Sequence, residues 1–153
     1  MSLKWVYTAL REEGIDSFIW VPGSKLKELI DEIEQHDVCS IGATREEEAI
    51  GIAAGMHLAG RKPIVLIQSS GLASSLNAIC ELLVAYQIPV PFIISVRGMQ
   101  NEANFVHTIF GQRLEAILQD LQIPYWYLVD EKALSKALHS CYLTKKPVIV
   151  LIR

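Results

Sequence analysis

Ile64-Val65-Leu66-Ile67-Gln68-Ser69-Ser70-Gly71-Leu72 is the stretch on which the fold turns. Its first four residues are aliphatic with no polar residue among them, so neither face of a strand built from them meets water. Strands hidden on both faces belong to the interior of a parallel sheet. Gln68, the two serines and Gly71 then turn the chain, and Leu72, Leu76, Ile79 and Leu83 follow at helical spacing. Phe92-Ile93-Ile94 repeats the unalternating apolar pattern one unit later.

Working outward from this unit, strand-like runs fall at residues 17–21, 37–42, 64–68, 91–96, 125–129 and 147–152. Between them lie further helical stripes: Leu26, Leu29, Ile30 and Ile33; Leu114, Ile117, Leu118 and Leu121; Leu134, Leu138 and Cys141. Strand–helix alternation of this kind implies right-handed crossovers. The expected fold is α/β, a doubly wound open parallel sheet of about six strands with helices on both faces. No linker or repeat interrupts the chain, so residues 1–153 are read as a single domain.

Composition narrows the function classes. Half of the 153 residues are hydrophobic and the formal net charge is −3, with no basic block, which argues against nucleic-acid binding. Pro89 and Pro91 interrupt the longest apolar run, so no membrane span is expected. The N-terminus reads as an amphipathic helix followed by Glu12, Glu13 and Asp16 rather than as a signal peptide. Cys39, Cys80 and Cys141 are odd in number and widely spaced in apolar surroundings. They are read as buried free thiols of a cytoplasmic protein, without metal-ligand spacing.

In an open parallel sheet, ligands sit at the carboxyl ends of the strands. The loops there are 22–24, 43–46, 69–71 and the long segment 97–107. The second opens Thr44-Arg45-Glu46-Glu47-Glu48, where Thr44 and Glu47 have capping-box spacing and three acids suit the positive end of a helix. From Ala49 to Leu58 every face is apolar or small except for His57, the pattern of a buried helix. A carboxylate at the mouth of a buried helix is a functional candidate. Which of Glu46, Glu47 and Glu48 points inward is open to the pattern alone. Gly51 and Gly55 permit close approach of another helix, either within the domain or from another subunit.

Residues 68–77 read either as a strand-to-helix turn with serine caps or as a loop whose free N–H groups hold an anion. They match neither the GxxxxGK[ST] phosphate loop nor the GxGxxG fingerprint, and no GxSxG elbow occurs. In the long segment, the Arg97 guanidinium suits a carboxylate, phosphonate or sulfonate, and His107 suits proton transfer near neutrality.

Together, Val21-Pro22-Gly23-Ser24, Glu46 placed nine residues before Gly55, and Gln68-Ser69-Ser70-Gly71-Leu72 resemble the pyrimidine-binding domain of thiamine diphosphate enzymes. The likeness is closest to the sulfopyruvate and phosphonopyruvate decarboxylases, and runs from about Gly14 to Arg153. Arg97-Gly98 and His107 fit the same pattern. The resemblance implies that Glu46 hydrogen-bonds a ring nitrogen of the cofactor's aminopyrimidine and so activates it. It implies further that Gln68, Ser69, Ser70 and Gly71 line the cofactor, and that Pro22, Ser24, Arg97 and His107 stand near a small anionic 2-oxo acid, with His107 catalytic. Where those decarboxylases read Gln-Asn-Ser-Gly-Leu-Gly, this chain reads Gln68-Ser69-Ser70-Gly71-Leu72-Ala73. The Gly-Asp-Gly segment through which the family binds Mg2+ and the diphosphate is missing. By resemblance, thiamine diphosphate is shared with a separate diphosphate-binding beta subunit that carries the Mg2+, and self-association is expected. Two other readings stand beside this one: a non-catalytic binding module of the same fold, and a flavodoxin-like nucleotide- or phosphate-binding protein.

Overall fold

Six parallel strands form the sheet of the computed structural model, which describes residues 3–99 and 104–153. The elements run α1 (Lys4–Glu12), β1 (Ser17–Trp20), α2 (Lys27–Glu34), β2 (Cys39–Gly42), α3 (Glu46–Leu58), β3 (Pro63–Gln68) and α4 (Ser69–Ala78). A π turn (Ile79–Val84), β4 (Pro91–Ser95), a 3-10 turn (Phe105–His107), α5 (Thr108–Asp120), β5 (Tyr125–Tyr127), α6 (Glu131–Thr144) and β6 (Val148–Ile152) complete the order. Across the sheet the strands stand β2-β1-β3-β4-β6-β5.

The alternating side-chain direction of a strand divides the core in two. Ile64, Leu66 and Ile93 pack on one face with Leu10, Leu29, Ile33 and Leu138, from α1, α2 and α6. Val65, Ile67, Phe92 and Ile94 pack on the other with Ile50, Ala53, Leu72 and Leu114, from α3, α4 and α5. Right-handed crossovers require this division, because steps toward the β5 edge lay their helices on one face and steps back lay them on the other. The chain therefore leaves β1 and β3 toward opposite faces, and a crevice opens between their carboxyl ends.

The expected α/β class, parallel sheet and strand count are all present. Each strand is bounded within about two residues of its expected limits. Val21 lies just past β1 yet still donates its N–H to the Leu66 carbonyl at 3.0 Å. The stripe from Leu72 to Leu83 reads as one helix, but its second half winds as the π turn, and Ile79 and Leu83 stay buried. No helix of the described residues is long and apolar enough to cross a membrane.

Three local expectations are corrected. The cap of α3 is closed by Glu48, not Glu47: its Oε2 accepts from Thr44 N–H (2.8 Å) and Thr44 Oγ1 (2.5 Å), while Arg45 stands extended at the cap position. Starting the helix one residue later than the Thr44–Glu47 spacing implies puts Glu48, not Glu47, within reach of Thr44. Nor is α3 buried all round. Ala49, Ile50, Ala53 and Ala54 face the sheet, whereas Gly51 and Gly55 are exposed, a Cβ at either would meet nothing within 4 Å among the described residues, and Leu58 is 74% exposed. The in-domain reading of the two glycines therefore falls, since no helix among the described residues packs there. Of the cysteines, only Cys141 is fully buried; Cys39 and Cys80 are half-buried, and all three are free.

Candidate active site

Glu46, Glu47 and Glu48 follow one another around the first turn of α3, so they face three directions. Glu48 is exposed and tied to Thr44, whose hydroxyl and N–H hold its carboxyl below the usual range. Glu46 is the acid turned toward the neighbouring helix. Its side chain lies on the backbone of Gly71, where a Cβ would overlap the carboxyl carbon and Oε1. Gly71 is the third residue of α4, which leaves β3 without a side-chain cap, Gln68 being extended at the cap position. A carboxylate thus rests on the electropositive start of a helix. The serines of this loop are not caps. Ser74 and Ser75 bond back to the Gly71 carbonyl at 2.9 and 2.7 Å.

Ser69, only 1% exposed, has a different task. Its Oγ accepts the backbone N–H of Arg97 at 3.0 Å, joining the start of α4 to the end of β4. The Arg97 Nη1 in turn reaches Ser24 Oγ at 3.3 Å. Beside it, Lys25 Nζ donates to the Val96 carbonyl at 2.9 Å. Successive residues of the loop after β1 are thereby fastened to successive residues after β4.

His107 meets the same corner through its backbone. Gly98 has φ +81°, and a Cβ there would overlap the His107 carbonyl oxygen. At Gly111, in the first turn of α5, a Cβ would overlap the Arg97 carbonyl oxygen and stand 2.9 Å from Gly98 Cα. Two glycines back to back let the exit of β4 cross the start of α5 at van der Waals range. Residues 100–103 of the long loop lie outside the described residues.

The structure therefore brings Glu46 to Gly71, and Ser24, Ser69, Arg97 and the backbone of His107 to one corner; Ser69 and Gly71 share a turn of α4 and connect the two. Gln68 and Ser70 are half-buried on that turn. Pro22 and Ser24 also line a cleft of about 430 Å3 with Trp20 and Lys27. The larger cleft, about 650 Å3 beside β5 and β6, is lined by Lys25, Tyr127 and Arg153 and includes neither Glu46 nor Gly71. Catalytic interest follows the carboxyl groups and the crevice, not the cleft volume. Sequence reasoning missed Lys25 and Gly111. The first adjoined Ser24, and the second was a glycine one turn before the stripe at Leu114.

Residues 3–120 match the family model described as thiamine pyrophosphate enzyme, N-terminal TPP binding domain. The sulfopyruvate decarboxylase subunit alpha of Methanocaldococcus jannaschii is 42% identical over 120 residues, covering 78% of this chain and 71% of that one. Its counterpart from Methanococcus maripaludis is 39% identical over 122 residues, 79% of this chain and 73% of the relative. The sulfopyruvate decarboxylase of Methanosarcina acetivorans is 34% identical over 129 residues, which are 84% of this chain but 33% of that protein. Among solved structures, the 2-oxoglutarate:ferredoxin oxidoreductase from Magnetococcus marinus superposes with a TM-score of 0.77 over 98% of this chain and 28% of its own, at 18% identity, a likeness of fold alone. The chain belongs to the family of thiamine pyrophosphate enzyme N-terminal, TPP-binding domains.

Proposed function

We propose that this chain is the alpha subunit of a thiamine diphosphate-dependent 2-oxo acid decarboxylase, a carboxy-lyase acting on sulfopyruvate or a phosphonopyruvate-like acid. The single observation that carries the reading is Glu46, set by the first turn of α3 onto Gly71 at the start of α4 beside the β1/β3 crevice. The identity to sulfopyruvate decarboxylase alpha subunits supports it over a non-catalytic module or a flavodoxin-like nucleotide binder. The residues fit the pyrimidine half of the cofactor. Glu46 offers a carboxyl group, and Gly71 keeps the floor beneath it free of side chain.

Thiamine diphosphate, when bound, supplies the carbon nucleophile and the electron sink that loss of carbon dioxide requires. Glu46 would hold the pyrimidine by sharing a proton with one of its ring nitrogens. Gln68, Ser70 and Gly71 would form the wall against it, with Ser69 turned away to the Arg97 N–H. Arg97, steadied by Ser24, reads the anionic end of the substrate, and Pro22 bounds that end. His107 would donate a proton to the substrate carbon that has lost carbon dioxide. Such a site is half built here. The diphosphate and its Mg2+ belong to a separate beta subunit, a reading supported by the subunit alpha naming of the relatives. The uncovered face of α3 at Gly51, Gly55 and Leu58 is assigned to subunit contacts, including self-association.

Glu46→Gln tests the proposal. Reconstituted with a diphosphate-binding subunit, the variant is expected to keep the wild-type melting temperature and to lose carbon dioxide release from sulfopyruvate. Undiminished turnover removes Glu46 from the mechanism.

A further inference from the structure

We propose that Ser69 and Gly111 are positioning residues that hold Arg97 as a fixed cation, and so determine selectivity for the anionic end of the substrate; this rests on the decarboxylase reading above. Among the described residues, three contacts hold Arg97. Its N–H is bound by the buried Ser69 hydroxyl at 3.0 Å, its carbonyl lies on Gly111 where no side chain fits, and its guanidinium meets Ser24 at 3.3 Å. Lys25 fixes the preceding carbonyl, that of Val96, at 2.9 Å. A long, flexible side chain loses much conformational freedom when it grips a ligand. A backbone fixed on both sides of Cα and a guanidinium already tethered have given up part of that freedom in advance. Neither Ser69 nor Gly111 needs to touch the substrate to act in this way. Ser69, buried and bonded to the Arg97 N–H, orients a cation and does not line a ligand.

The experiment is a double-mutant cycle in the complex, with sulfopyruvate as substrate. Ser69→Ala and Gly111→Ala are each expected to raise KM about tenfold, with kcat changed far less, as loss of ground-state binding requires. In an Arg97→Met background, Ser69→Ala is expected to add nothing further, since residues acting through one partner are not additive. A second readout needs no turnover. The 15N–1H resonance of the Arg97 side chain, assigned by its loss in Arg97→Met, is expected to be dispersed in the wild-type chain. It should collapse toward the position of free arginine in both single variants. Additive effects on KM, an unchanged KM, or an unmoved Arg97 resonance overturn the proposal. A wild-type complex inactive on sulfopyruvate defeats the functional reading instead, and the resonance still decides whether Arg97 is held.

Discussion

Replacing Gly71 with alanine separates stability from chemistry at this site. The added Cβ would occupy the space now filled by Cγ, Cδ and Oε1 of Glu46, and no backbone atom of another segment is among its nearest contacts. Relief is therefore simple, because Glu46 rotates away from α4. Alanine in place of glycine inside a helix gains about 1 kcal/mol. Overpacking costs about 1–3 kcal/mol where neighbours are rigid, and less where a half-exposed side chain yields. The two terms nearly cancel, leaving a net change within about 1 kcal/mol. At this chain length that corresponds to a shift in melting temperature of no more than about 4 °C. The carboxyl group, however, is displaced by at least the width of a methyl group. A misplacement of about 1 Å in a catalytic constellation costs on the order of a hundredfold in rate. Gly71→Ala is thus expected to melt as the wild type does while kcat for carbon dioxide release falls about a hundredfold. A variant with wild-type kcat refutes the placement of Glu46. One that unfolds well below the wild type refutes the claim that only Glu46 yields.

Gly98→Ala should behave oppositely, because its φ of +81° disfavours a side chain and the obstacle is the His107 backbone; a loss of at least about 1–3 kcal/mol in denaturant titration is expected. Gly55→Ala, on the uncovered face of α3 with nothing within 4 Å, should stabilise the isolated chain by about 1 kcal/mol. Asp16 gives a pH test. Burial pushes its pKa up, but bonds from Ser17, the Lys62 N–H and Arg61 outweigh this and leave it lowered. A lowered folded pKa means stability present above the ordinary carboxylate range and lost as pH falls through the folded value, so acid titration of Asp16→Asn should show a shallower loss than wild type. Burial pushes the Cys141 thiol up to about 12, so Cys39 and Cys80 should react with a thiol reagent near pH 8 long before Cys141.

The parallel sheet was legible because its evidence is local. Ile64 to Ile67 and Phe92 to Ile94 lack alternation, and that absence alone means cover on both faces. The stripes at Leu29, Ile33 and Leu134, Leu138 likewise place α2 and α6 without reference to the rest of the chain. Strand order is not local. That β6 lies between β4 and β5 follows from where α5 and α6 pack.

The candidate site divides along the same line. Sequence alone determined that an acid opens α3, that small residues follow β3, and that an arginine follows β4, since each is a matter of residue type beside an element boundary. Only the tertiary structure decided which acid turns toward α4, that Ser69 holds Arg97, and that Gly98 and Gly111 meet. Those facts depend on contacts between segments distant in the chain, and the energy of such a contact is a property of two surfaces that no single stretch of sequence contains.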